Sequence, residues 1–143
     1  MGFIKSFFGG NQESSTTGGF ELSGDAGHFL QQARAKWKAR DFDTARLMFQ
    51  KCAYSVTANG SDQEKALLKE EQTRFAKDDP LYQSIIRQVQ ALVAATPGLL
   101  QTALYDQIPH DREEVQRALY FGHELGDIRR EKKGRSYAIY PVA

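Results

Sequence analysis

From Asp25 onward, apolar residues recur at the spacing of amphipathic helices, in which every third or fourth residue faces the core. The first such stripe consists of Phe29, Leu30, Ala33 and Trp37. A second stripe follows the break at "RDFD" and contains Ala45, Leu47, Met48, Phe49, Cys52 and Val56. Because so short a connection joins neighbouring helices that run in opposite directions, the pattern predicts an antiparallel helical hairpin.

The stretch "NGSDQEKALLKEEQTRFAKDD" predicts a third helix at the surface. Asn59 and Gly60 form the break before it, and Ser61 or Asp62 is expected to cap its first turn. Its few apolar anchors are Ala66, Leu67, Leu68 and Phe75. Charged residues of both signs surround these anchors, so the rest of the helix is expected to be solvated.

A module boundary is predicted where Asp78 and Asp79 precede Pro80. Proline is tolerated at the first position of a helix, so this order ends one helix and starts another. The new helix, "LYQSIIRQVQALVAA", has one apolar face made of Leu81, Ile85, Val89, Leu92 and Val93. A further helix, "LLQTALYDQI", is expected next. Thr96 is expected to cap it, and Pro97 is expected to begin it. Its buried residues are expected to be Leu99, Leu100, Ala103, Leu104 and Ile108.

A last helix is predicted after the turn at "PHD". Asp111 and Glu114 have the spacing of a capping box, in an Asp variant, which marks the start of a helix. The inward positions of this helix are Val115, Ala118, Leu119, Gly122 and Leu125. Gly126 follows them and can adopt the left-handed conformation that ends a helix.

Two short strands are predicted next, over residues 128–132 and 136–140, with Lys133 and Gly134 at the tip of the hairpin. Three helices, the last two joined by a short turn, thus precede a basic hairpin within "EEVQRALYFGHELGDIRREKKGRSYAIYP". This order resembles winged helix-turn-helix domains, and the resemblance covers residues 81–142. It implies a C-terminal winged helix with three helices and a two-stranded β-wing.

The resemblance also implies a contact surface, because in winged-helix domains the third helix enters the major groove and the wing meets phosphates or the minor groove. The outward face of that helix would carry Arg112, Glu113, Gln116, Arg117 and Tyr120. The wing would carry Arg129, Arg130, Lys132, Lys133 and Arg135. Gln suits adenine and Arg suits guanine, so Gln116 and Arg117 have the chemistry to read base edges.

Charge supports this surface only locally. The chain has 19 Lys and Arg against 18 Asp and Glu, so its net charge of +1 gives no global reason to expect a polyanion. Residues 126–135 hold five cations and two acids, enough to neutralise a few phosphates. The preceding helix begins with acidic residues, which capping and the helix dipole explain, and these would oppose DNA. Two functions therefore stay open: a small DNA-binding regulator, and a scaffold module that binds proteins.

A second resemblance lies in "ARDFDTARLMFQKC", which is similar to the second half of a tetratricopeptide repeat. The matching residues are Asp41, Phe42, Ala45, Phe49 and Cys52. Only one such hairpin is visible, over residues 26–57, and repeats of this kind need about three copies to stack. We therefore expect a packed hairpin rather than a peptide-binding array. The expected fold is mainly α, with a tail over 1–24, helices over 25–78 and the winged helix over 79–143.

The first 24 residues are rich in Ser, Thr and Gly and are expected to form a flexible tail. Four apolar residues near its start have helical spacing, which suits weak contact with a membrane or with a partner groove. They are Phe3, Ile4, Phe7 and Phe8. A homodimer through the amino-terminal helices also remains open.

Catalytic and metal-binding motifs are not evident in the sequence. Cys52 is the single cysteine, and the three histidines are too scattered to suggest ligand spacing. A lone cysteine suits a reducing compartment, so the protein is expected to be cytoplasmic. We expect no cofactor and no enzymatic activity.

Overall fold

The computed structural model describes residues 21–142, which contain six helices and three strands. The helices are α1 (Gly24–Lys38), α2 (Phe42–Asn59), α3 (Asp62–Asp78), α4 (Pro80–Ala95), α5 (Gln101–Gln107) and α6 (Arg112–Leu125). The strands are β1 (Leu99–Leu100), β2 (Ile128–Lys133) and β3 (Ser136–Pro141). The expectation of a mainly helical fold is confirmed. The chain divides into two compact units between Glu71 and Gln72, inside α3.

The predicted tail lies mostly outside the described residues, as do Phe3, Ile4, Phe7 and Phe8. Of that segment, the structure describes residues 21–24 only. Leu22 is buried there, and α1 begins at Gly24.

In the first unit, α1 and α2 pack together as the predicted hairpin. The turn between them contains Arg40 in the left-handed region, with φ of 64°. Asp41 then caps α2, since its side chain accepts a hydrogen bond from the Thr44 backbone N–H at 3.3 Å. The small, fully buried residues Ala33 and Ala45 lie on the packed faces, where they allow a close approach of the two helices.

In α2 and α3, two residues that fit the apolar pattern are nevertheless exposed. Leu47 of α2 keeps 47% of its surface in solvent, and Ala66 of α3 is also exposed. Helical spacing marks a broad apolar face, but only the helices that pack against it determine how much is covered. The other three apolar anchors predicted for α3 are buried, namely Leu67, Leu68 and Phe75.

The α3 helix begins and ends where the sequence indicates. The Ser61 hydroxyl accepts a hydrogen bond from the Glu64 N–H at 3.2 Å, and the Glu64 carboxylate accepts one from the Ser61 N–H at 2.8 Å. This reciprocal pair is a capping box, so Ser61 is the cap. Asp79 lies between α3 and α4, and its carboxylate accepts from the Leu81 N–H at 3.0 Å.

In the second unit, α4, α5 and α6 surround an apolar core that is closed on one side by a small antiparallel sheet. Its fully buried residues include Ile85, Val89, Val93, Leu104, Val115, Leu119, Ile128 and Ile139. Gly122 of α6 permits a close approach, because a Cβ at this position would lie 2.6 Å from Cδ1 of Ile86 and 2.9 Å from Cγ1 of Ile128.

The segment after α4 corrects the prediction. The sequence pattern predicts a helix at Leu99 and Leu100, but these residues form the strand β1, which pairs with Ile139 and Ala138 of β3. Gly98, with φ of 85°, makes the turn into this strand. The helix α5 starts only at Gln101, and Leu100 is 45% exposed rather than buried.

The same strand changes two further expectations. The hairpin of β2 and β3, predicted to be a two-stranded wing, is part of a three-stranded sheet with strand order β1-β3-β2. Thr96 ends α4, where its N–H donates to the Leu92 carbonyl at 2.9 Å, and does not cap the start of α5. The physical reason is that β3 offers backbone partners to Leu99 and Leu100, and these partners are distant in the sequence.

Candidate nucleic-acid interface

The helix α6 provides one side of the candidate site. The predicted capping box is present, and the Asp111 N–H donates to the Glu114 carboxylate at 3.3 Å. Four of the predicted inward positions are buried, namely Val115, Ala118, Leu119 and Gly122. The opposite face is therefore open to solvent: Arg112, Glu113 and Gln116 are exposed. Arg117 and Tyr120 are partly buried on the same outward side.

The end of α6 determines where the hairpin starts. Gly126 ends the helix in the left-handed conformation, with φ of 80°, and the Asp127 N–H donates to the Gly122 carbonyl at 2.8 Å. The Asp127 carboxylate accepts a hydrogen bond from the hydroxyl of Tyr82, 2.6 Å away on α4. The amide of Gln90, also on α4, donates to the Asp127 carbonyl at 3.1 Å. Two hydrogen bonds from α4 therefore fix the position of Asp127, the residue that precedes β2.

The hairpin turns in a two-residue loop. Register pairs Lys133 with Ser136, so that Gly134 and Arg135 form the loop between them. Gly134 has φ of 59°, as the first loop position of a type II′ turn requires. The prediction of Gly134 at the tip is confirmed, whereas Lys133 belongs to β2, one residue longer than predicted, and Arg135 takes the second loop position. Since Lys132 and Lys133 immediately precede the loop, three cations lie at the end of the hairpin that is farthest from the core.

Alternation along β2 separates the basic residues onto two faces of the sheet. Ile128, Arg130 and Lys132 lie on the face that Ile128 places against the core. Arg129, Glu131 and Lys133 lie on the opposite face. The five cations of the hairpin thus do not form one uniform patch.

Arg130 lies between two tyrosines. The carbon at the centre of its guanidinium group is 4.1 Å from the ring centroid of Tyr137 on β3 and 5.6 Å from that of Tyr120 on α6. Its backbone N–H donates to Nδ1 of His123, also on α6, at 3.1 Å. Within residues 21–142 the Nε atom of Arg130 is buried and lacks a hydrogen-bond partner. Arg130 therefore connects the hairpin to α6 through its packing.

Arg129 is on the other face and is also engaged. Its guanidinium carbon lies 4.4 Å from the ring centroid of Tyr140, and it forms an ion pair with Glu131. The Tyr140 ring in turn packs over Gly98, where a Cβ would be 3.3 Å from the ring atom Cε1. Glu131 balances the charge of Arg129, so Arg129 adds less positive electrostatic potential to the surface than an unpaired arginine would.

The remaining cations are exposed at the tip. Lys132, Lys133 and Arg135 form no ion pair with any acidic side chain of the part of the chain that the structure describes. Lys132 lies with its Nζ 5.0 Å from the ring centroid of Tyr137, which supports its aliphatic stem without neutralising its charge. These three side chains are the strongest candidates for contact with an anion.

The start of α6 differs in sign from the tip. Glu113 is exposed on the outward face, whereas Glu114 is used in the capping box. Arg112 lies with its guanidinium carbon 4.8 Å from the ring centroid of Tyr105 on α5. The candidate surface is therefore basic at the hairpin tip and acidic at the first turn of the helix.

Tyr82, Tyr137, Tyr140, His123 and Asp127 belong to the structure of this surface, although sequence reasoning did not select them for it. The tyrosines of "SYAIYP" were visible only as strand residues. Their pairing with Arg129, Arg130 and Lys132 follows from the register, which the two-residue loop at Gly134 sets. A hairpin register derived from that loop would have predicted these pairs.

The comparisons with known proteins do not identify this chain. No protein-family model, no curated protein and no solved structure matches it. Within residues 21–142, the histidine, cysteine and acidic side chains form no group of three that could hold a metal ion. None of the helices in the same range has both the length and the apolar content needed to cross a bilayer.

Proposed function

We propose that residues 81–142 form a winged-helix domain that binds duplex DNA without catalysing a reaction, and that the protein acts as a small regulator. The observation that carries the proposal is the position of the hairpin. The stack of Tyr120, Arg130 and Tyr137 holds it against α6, and the cations Lys132, Lys133 and Arg135 remain exposed at its tip.

In this proposal the hairpin tip and α6 have different tasks. The three tip cations neutralise phosphates, which releases counterions and gives affinity without sequence preference. Gln116 and Arg117, on the outward face of α6, contact base edges in the major groove and provide the sequence preference. Phosphate contacts position the protein and base contacts specify the site, so the two sets can be tested separately.

A salt titration of the full chain on random-sequence duplexes tests the phosphate contacts. The variant with Lys132, Lys133 and Arg135 changed to Ala is expected to bind more weakly. Its slope of log affinity against log salt concentration should be smaller by about 2 to 3, because each lost phosphate contact removes about 0.9. Fluorescence anisotropy of a labelled duplex measures both quantities.

The matched control changes three exposed lysines of the first unit, Lys36, Lys38 and Lys65, to Ala. This control removes the same total charge and should keep the wild-type slope. Absence of binding by the wild type at low salt would contradict the proposal. So would an equal loss of slope in the control, because the effect would then report overall charge only.

Protein binding is the second candidate, and the exposed Glu113 on α6 favours it. A carboxylate on the outward face opposes DNA phosphates but suits a basic protein surface. In this alternative, α6 and the hairpin contact a protein partner. The sign of the effect of Glu113→Gln on duplex affinity distinguishes the two candidates.

A further inference from the structure

An apolar groove runs along the surface of the α1–α2 hairpin. It has a volume of about 500 Å³, and its apolar lining comes from Phe29 of α1 and from Leu47, Tyr54 and Ala58 of α2. The polar residues at its border are Asp25, Gln50, Lys51, Ser55 and Asn59. Leu47 is 47% exposed, and Tyr54 is 81% exposed although both are large apolar residues. Neither side chain belongs to the buried core of the hairpin, so both leave apolar surface available to an occupant.

The groove has the form of a stripe along one helix. Leu47, Lys51, Tyr54 and Ala58 line it at intervals of four, three and four residues, which places them on one side of α2. At a rise of 1.5 Å per residue, the stripe is roughly 16 Å long. Phe29 lies on the facing helix, and its ring centroid is 5.8 Å from Nζ of Lys51.

We propose that the amino-terminal segment of the same chain, residues 2–8, docks in this groove. The segment has four apolar residues at intervals that place them on one side of a short amphipathic element, namely Phe3, Ile4, Phe7 and Phe8. A stripe of apolar side chains facing an apolar groove is a recurrent mode of peptide recognition. The proposal is independent of the nucleic-acid surface in the second unit.

Chain length and position support this occupant over others. Asp25 lines the groove, only four residues after Glu21, where the described part of the chain begins. Residues 9–20 provide a Gly-, Ser- and Thr-rich link whose typical span is about 20 Å. This span is close to the length of the groove. Tethering at such a distance gives an effective concentration in the mM range, so a weak contact is sufficient.

Hydrogen exchange of the full chain, read by mass spectrometry, tests the docking. Amides of residues 3–8 should exchange about tenfold more slowly in the protein than in an isolated peptide of residues 1–10. Leu47→Asp should remove this protection by placing a charge in the groove. Thr57→Asp, which adds the same charge at an exposed position of α2 outside the groove lining, should retain it.

A second variant keeps the test independent of the fold of α2. Phe7→Asp changes no described residue, and it should also abolish the protection. Equal exchange in the wild-type protein and the isolated peptide would overturn the proposal. Protection that appears only as protein concentration rises, together with a dimeric mass in sedimentation, would overturn it in favour of a second copy. Protection that requires added anionic phosphatidylserine vesicles would overturn it in favour of a membrane.

Discussion

The hydroxyl of Tyr82 on α4 donates a hydrogen bond of 2.6 Å to the carboxylate of Asp127, the residue between the end of α6 and the start of the hairpin. Tyr82 is only 6% exposed. Burial, and then the hydrogen bond and negative charge of Asp127, raise the pKa of Tyr82 well above its ordinary value. The hydroxyl therefore remains a donor, and this contact fixes the origin of the hairpin relative to α4.

Tyr82→Phe should lower the free energy of unfolding by about 1 to 3 kcal/mol, since it leaves a partly buried acceptor without its donor. Urea denaturation measures the change. Tyr54→Phe is the control, because Tyr54 is 81% exposed and should stay within about 0.5 kcal/mol of the wild type. If both variants unfold at the same urea concentration as the wild type, the contact does not stabilise the fold.

The free energy of unfolding is expected to fall with rising pH in the alkaline range because of Cys52. Burial raises the pKa of its thiol from 9.0 to about 11 in the folded chain. Above pH 9 the unfolded thiol loses its proton while the folded thiol keeps it, so stability falls as pH rises. The loss approaches about 1.4 kcal/mol per pH unit between these two values.

Cys52→Ser provides the comparison for that prediction. The thiol donates to the Ala26 carbonyl at 3.3 Å, and a serine hydroxyl can donate to the same atom but does not ionise in this range. The difference in unfolding free energy between wild type and variant should therefore shrink from pH 9 to pH 11. A constant difference across that range would show that Cys52 does not contribute.

Arg130 is predicted to position the hairpin on α6. Arg130→Lys keeps the charge but loses the planar group that stacks between Tyr120 and Tyr137, at a cost of about 1 to 2 kcal/mol. Amide exchange in β2 and β3 should therefore become faster, and duplex affinity should fall with it. Lys133→Ala is the contrasting variant, since it should reduce the salt slope and leave exchange unchanged. The positioning role fails if Arg130→Lys weakens binding without any change in exchange.

Glu113 is predicted to oppose DNA binding. Glu113→Gln removes an exposed negative charge from the outward face of α6, so affinity for duplexes should rise by about twofold to fivefold at low salt, and less at high salt. Asp62→Asn, which removes an exposed acid at the start of α3, is the control and should leave affinity unchanged. Unchanged or weaker duplex binding by Glu113→Gln would place α6 away from DNA and favour a protein partner.

The sequence by itself determined those features that depend on near neighbours along the chain. The hairpin turn at Asp41, the break at Pro80, the capping box of Asp111 and the glycine conformations at Gly126 and Gly134 all follow from local backbone chemistry. The inward face of α6 also follows, because its spacing is strictly helical. The local sequence therefore predicts α6 and the hairpin tip, which form the candidate surface.

Tertiary structure alone decided which of the remaining residues are buried, paired or free. Leu99 and Leu100 form a strand because Ile139 and Ala138 supply their hydrogen-bond partners, about forty residues later. Arg130 stacks on α6 because the register of β2 and β3 places it on the inner face. Both outcomes depend on contacts between segments that are distant in the sequence, and the local pattern of polar and apolar residues does not encode which partner each segment meets.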